Sequence, residues 1–231
     1  MIPIGDSPAR RRTPWVMVLL IAANVAVFAY QLSLDRAVGA WIQSVGAIPV
    51  EILSGRDLPP AAPGPVFITI FTSMFVHGGF LHLGSNLLYL WVFGDNVEDA
   101  FGHGRFLVFY LVCGVVATLT HAYMEPDSTI PSVGASGAIA GTLGAYLQMF
   151  PKARVRTLLL LGPFVTVTRV SALFIIGMWF LVQLLSGLAS LEAVTSQSSG
   201  IAVWAHVGGF VAGFLLCVVL RPHRLTERWI T

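Results

Sequence analysis

The sequence predicts an all-α membrane protein, a bundle of six transmembrane helices with a long, partly membrane-embedded first outer loop. Three observations carry that expectation. Of the 231 residues, 56% are hydrophobic and only 10% are charged, whereas soluble domains carry about a quarter charged residues. The apolar residues gather into six runs. If each run crosses once, almost all basic residues fall on one side.

The first run, "WVMVLLIAANVAVFAYQL" (residues 15–32), is long and lacks a small-residue cleavage pattern, so it reads as a retained span. The second, "FLHLGSNLLYLWVF" (80–93), extends towards Val97. The third covers residues 106–124, the fourth 135–150, the fifth 170–189 and the sixth 204–220. Four of these match the about 20 residues that a bilayer requires, while the second and fourth are short or polar. The long connection 33–79, with "IPVEILSG" and "VFITIF", is too apolar for a solvated linker, yet its run 66–76 is too short to span. No soluble domain is expected. Cys113 and Cys217 lie in apolar runs and read as buried packing residues.

With the N-terminus inside, Arg10, Arg11, Arg12, Arg105, Lys152, Arg154, Arg156, Arg169, Arg221, Arg224 and Arg228 are inner, and only Arg36 and Arg56 are outer. Eleven against two places both ends in the cytoplasm, and an odd number of spans would put the last cluster on the wrong side. The expected organisation is a cytoplasmic tail (1–13), a membrane domain (14–220) and a second cytoplasmic tail (221–231). Twelve Arg to one Lys point to a GC-rich bacterial genome, hence a bacterial inner membrane. A net charge of +2 gives no argument for nucleic acid.

This topology brings polar residues to one depth. The second, fourth and sixth runs all enter from outside, and their first turns carry His82 and Asn86, Ser136, and His206. The fourth run has 16 residues, about 24 Å of helix against an apolar core of about 30 Å. With Lys152 held at the inner interface, Ser136 is recessed below the outer surface. The stretch "PSVGASG" supplies a tight entry through Pro131, Gly134 and Gly137. A serine at a helix N-terminus sits beside unpaired amides and the positive end of the dipole, where an oxyanion would be stabilised. Asn86 can add a donor, and its i, i+4 spacing puts it on one face with His82. His206 supplies what Ser136 lacks, a base with a pKa near neutrality.

"HGGFLHLGSN" (77–86), "GASG" (134–137) and "AHVGGFVAG" (205–213), in that order on alternate spans, resemble the rhomboid family of intramembrane serine proteases, as does "FGDNVEDAFG" (93–102). The resemblance covers roughly residues 15–220. It implies Ser136 as nucleophile and His206 as general base, a dyad without aspartate. It also implies an oxyanion site of His82, Asn86 and the Ser136 backbone N–H, and no cofactor or metal. Its expected partners are transmembrane protein substrates in the lipid bilayer. They would enter past the fifth span, with the loop 190–203 as a movable cap. The sequence departs from the family at one place: the first loop has no Trp-Arg pair, Trp41 being followed by Ile42.

Each residue also has a structural reading. Ser136 with Gly137, Gly141 and Gly144 fits a small-residue packing face, and Asn86 fits an interhelical clip. His77 reads as a loop residue shaping a wall, and His121 as a solvated or structural histidine. His103 and His223 are expected in the cytoplasm. Glu98 and Asp99 are expected to cap or tie the inner loop. A zinc set of His82, His206 and His121 lacks an HExxH pattern and a nearby carboxylate. Non-proteolytic alternatives are a binder of transmembrane clients and a small transporter.

Overall fold

The computed structural model describes residues 1–162, 164–192 and 202–220. The tail 221–231, with His223 and three of the inner arginines, and most of the expected cap loop lie outside the described residues. In chain order the elements are β1 (Ile2–Gly5), α1 (Trp15–Ser33), α2 (Val38–Val45), α3 (Pro49–Ser54), α4 (Thr69–Thr72), α5 (Phe80–Phe101), α6 (His103–Met124), α7 (Ser136–Met149), β2 (Arg154–Leu161), β3 (Phe164–Ser171), α8 (Ala172–Glu192) and α9 (Val203–Leu220).

The protein is mostly helical. Among the described residues, α1, α6, α8 and α9 are long and apolar enough to cross a membrane. A fifth span results if α5 and the segment Val66–Phe75, bent from it by 81°, count as one. The remaining helix, α7, has only 14 residues, about 21 Å at about 1.5 Å per residue. It is the central helix, with every residue from Gly137 to Tyr146 buried, as its all-round small and apolar sequence requires.

The packing of α7 on α9 decides the architecture. A Cβ on Gly213 would lie 2.0 Å from the Gly141 carbonyl oxygen, and one on Gly209 would lie 2.1 Å from that of Gly137. The two backbones therefore touch along a seam that only glycine permits, the close approach expected of small residues four apart. His206 precedes Gly209 by one turn and Ser136 adjoins Gly137, so the seam sets the distance between them.

The all-α expectation is corrected at one end of the bundle. β1, β2 and β3 form an antiparallel sheet in that order, with Leu158 opposite both Ile2 and Val167. The physical reason is a period-two pattern: Arg154 and Arg156 are exposed while Val155 and Thr157 are buried. The β-branched run "VTVTRV" (165–170) then favours the partner strand. The fifth helix accordingly starts at Ala172 rather than Val170. The N-terminal segment, expected as a tail, is docked through β1.

The same end is tied by carboxylates. Glu98, buried in α5, accepts the backbone N–H groups of Val16 (3.0 Å) and Met17 (2.7 Å) and contacts His103. It caps α1 from a distance, where a negative charge meets the helix dipole. Asp99 accepts the Arg11 N–H at 3.0 Å. Asp6, just after β1, accepts hydrogen bonds from the Tyr146 hydroxyl and the Asn96 amide. Burial raises the Asp6 carboxyl from 3.8 to about 7, against the lowering effect of the Tyr146 bond. The folded state thus holds this proton where the unfolded chain has lost it, so the Asp6 contribution to stability falls as pH rises from about 4 to about 7. Asp6→Asn is expected to leave thermal stability unchanged at acidic pH and raise it above neutrality. Melting curves across that range check this; a parallel pH dependence in both proteins would refute it.

At the opposite end, the connection between α1 and α5 is structured. Ala47 pairs with Ser132, the Thr72 hydroxyl donates to the Val45 carbonyl at 2.6 Å, and the Gly134 N–H donates to the Ser73 carbonyl at 2.8 Å. The connection therefore holds the chain entering α7. The buried Gln31 side chain satisfies both backbone groups of His77, accepting its N–H at 3.0 Å and donating to its carbonyl at 2.8 Å. His77 is buried beside His82, ring centroids 5.1 Å apart.

Candidate active site

Ser136 is the first residue of α7. The first helical bond is donated by Ile139 to Ala135 at 3.0 Å, so the amides preceding Ile139 have no partner within the helix. Gly134, at φ +123°, makes the turn into the helix, and a Cβ there would fall 2.7 Å from His82 Nε2. Any other residue would be strained and would displace that imidazole.

His206 is the fourth residue of α9, and its Nε2 lies 2.8 Å from Ser136 Oγ. Both groups line a cavity of about 600 Å³, together with His82 and Asn86. The His82 Nδ1 accepts the Gly78 N–H at 3.3 Å. Asn86 Nδ2 donates to the His82 carbonyl at 3.0 Å. A side-chain amide nitrogen carries two hydrogens, so one remains for a group in the cavity.

The structure thus brings Ser136, His206, His82 and Asn86 to one cavity. It separates the others. His121 is buried at the end of α6, 3.9 Å from Glu125, and does not line the cavity; the solvated option for it is corrected. His103, Glu98 and Asp99 lie at the sheet end of the bundle. Cys113 and Cys217 are buried and unpaired with each other.

Two residues on α8 escaped sequence reading. The Trp179 ring centroid lies 5.7 Å from that of His206, and Gln183 Oε1 lies 2.9 Å from His206 Nδ1. The signal was a lone amide in the apolar run "FIIGMWFLVQLL", one turn from a tryptophan. Polar groups inside spans face partners, but the sequence does not say which.

Comparison with known proteins bears on this arrangement. The Rhomboid domain model matches residues 65–223. The chain is 34% identical over 151 residues to rhomboid protease GluP of Bacillus subtilis, covering 65% of this chain and 25% of that protein. It is 27% identical over 243 residues to RHOMBOID-like protein 4 of Arabidopsis thaliana, covering 95% of this chain and 56% of that protein. It is 26% identical over 221 residues to rhomboid protease AarA of Providencia stuartii, covering 89% and 73% respectively. The chain therefore spans between about a quarter and just over half the length of the first two of these relatives. The matched region contains α5 to α9, the helices that carry all four cavity residues. This integral membrane protein belongs to the rhomboid family.

Proposed function

We propose that the protein is an intramembrane serine endopeptidase that cleaves transmembrane segments of other membrane proteins. The observation that carries this reading is the 2.8 Å contact between Ser136 Oγ and His206 Nε2 on the wall of a cavity within a helical bundle. Ser136 attacks the scissile carbonyl while His206 Nε2 takes the hydroxyl proton. The Ser136 N–H, Asn86 and His82 hold the oxyanion. The imidazolium returns the proton to the leaving amine, and a water then hydrolyses the acyl-enzyme through the same base. A substrate helix hides its carbonyls in its own hydrogen bonds, so it must unwind before attack, and helix-breaking residues near the cut favour cleavage.

In this reading all six runs span, with α7 as a short span whose outer end is recessed. Both termini are cytoplasmic, 14–220 is the membrane domain, and the membrane is a bacterial inner membrane. The connection 33–79 is a partly embedded outer loop, and α8 borders the substrate's entry. The positive-inside count, with its eleven inner basic residues, supports this orientation.

The test uses the full chain in liposomes. Wild type is expected to react with a fluorophosphonate at Ser136 and to cut a reporter carrying one helical span. Well-folded wild type that does neither would turn the reading towards a client binder or transporter. Asn86→Ala is expected to lower kcat by about 100-fold, the scale of one lost oxyanion donor. Its melting temperature should hold, because the bond lost is to its own helix. Unchanged turnover would remove Asn86 from the oxyanion site.

A further inference from the structure

We infer that Gln183 is a positioning residue for His206: its side-chain carbonyl fixes the imidazole tautomer that presents an unprotonated Nε2 to Ser136. The inference rests on the reading of Ser136 and His206 as nucleophile and base. It begins with a requirement of proton accounting. For Ser136 Oγ–H to give its proton to Nε2, that nitrogen must carry a lone pair, so a neutral imidazole must carry its hydrogen on Nδ1. An N–H inside a membrane protein needs an acceptor, since leaving it unpaired costs about 1–3 kcal/mol.

Gln183 Oε1 is that acceptor, 2.9 Å from Nδ1, while Nε2 lies 2.8 Å from Ser136 Oγ. The two ring nitrogens are thus assigned to different partners, one accepting and one donating. Had Nε2 kept the hydrogen, Nδ1 would face the carbonyl oxygen lone pair to lone pair, and Ser136 could only accept. In the orientation seen here, with the Gln183 Oε1 rather than its Nε2 towards the ring, the amide selects the productive tautomer by penalising the other. Trp179, one turn earlier on α8, lies against the same ring with centroids 5.7 Å apart and limits its rotation. An uncharged amide orients the ring without adding a carboxylate to the membrane interior, where a lone charge is costly. When the reaction makes the imidazolium, Nδ1 keeps its hydrogen and Gln183 its role, so no second proton moves.

The experiment has two arms on the full-length protein in lipid. The first labels the histidines with ¹⁵N and identifies the His206 signals by their loss in His206→Gln. Wild type is expected to show Nδ1 protonated and Nε2 unprotonated at a pH where the ring is neutral. Gln183→Leu is expected to show a mixture of tautomers. The second arm measures fluorophosphonate labelling and reporter cleavage. Gln183→Leu is expected to lose about 10- to 100-fold in kcat and labelling rate, part of the about 10²–10⁴-fold range of general base catalysis. KM should change little, since Gln183 acts on the ring rather than on the substrate. Gln183→Glu keeps an acceptor at the same reach and is expected to restore most of the lost rate.

Wild type with Nε2 protonated overturns the inference outright, whatever the Gln183 variants do. So does a Gln183→Leu protein with wild-type labelling rate and tautomer. Loss of rate in Gln183→Leu with the wild-type tautomer retained assigns the residue to packing instead and likewise overturns it. Failure of wild type to label or cleave sinks the proposed function instead, while the tautomer arm still reads the Gln183 contact.

Discussion

Ser136→Ala and His206→Ala are each expected to abolish cleavage of a transmembrane reporter, with kcat falling by about 10⁵-fold or more, and the double variant is expected to be no worse than either single one. The non-additivity follows from the 2.8 Å contact between the two groups. In the proposed mechanism they act as one proton-transferring unit, so removing either removes the attack. Without His206, the Ser136 hydroxyl loses the base that takes its proton. Without Ser136, the imidazole has no nucleophile to activate. Fluorophosphonate labelling is expected to disappear in both, and Ser136→Ala is expected still to melt cooperatively, because it deletes one oxygen on a cavity wall. A double variant markedly slower than both singles would mean that the residues contribute independently, against the dyad.

Gly213→Val unfolds the protein or drives α7 and α9 apart. A Cβ at Gly213 would stand 2.0 Å from the Gly141 carbonyl oxygen and 2.4 Å from its carbonyl carbon and Cα. These are backbone atoms of the central helix and cannot rotate away. Overpacking a core against side chains costs about 1–3 kcal/mol, and the loss here is expected to exceed about 3 kcal/mol. Where the variant still folds, separating the helices by about 1 Å lengthens the Ser136–His206 contact and costs about 100-fold in rate. The control is Gly177→Ala on α8, where a Cβ meets nothing within 4 Å. Its stability should stay within about 1 kcal/mol of wild type. Melting temperature and labelling rate report both effects. A Gly213→Val protein as stable as the control would show that the seam does not set the helix spacing.

The two α8 residues, the sheet and the amide clamp on His77 show why some features were hidden from the sequence. Apart from the β2–β3 hairpin, each depends on a partner distant in the chain. The strands had a local signature, the alternation in "RVRT" and the β-branched "VTVTRV", but it lay inside segments dominated by membrane-span counting. Gln31 and Gln183 were polar residues in apolar runs without any pattern naming their partners, His77 and His206.

By itself the sequence determined the membrane class, the family, and the apolar runs to within a few residues of the helices they form, except that α5 continues past its run to Phe101. The cavity set of Ser136, His206, His82 and Asn86 was also legible. Hydropathy, charge asymmetry and short motifs are local properties, and a helix satisfies its backbone locally, so each can be read along the chain. Only the tertiary structure decided how close α7 and α9 approach, which nitrogen of His206 meets which partner, and where the N-terminal segment docks. Those are contacts between residues 70 positions apart for Ser136 with His206 and 23 apart for Gln183 with His206. They depend on backbone separation to a fraction of an ångström, which glycines in two different helices set jointly and neither encodes alone.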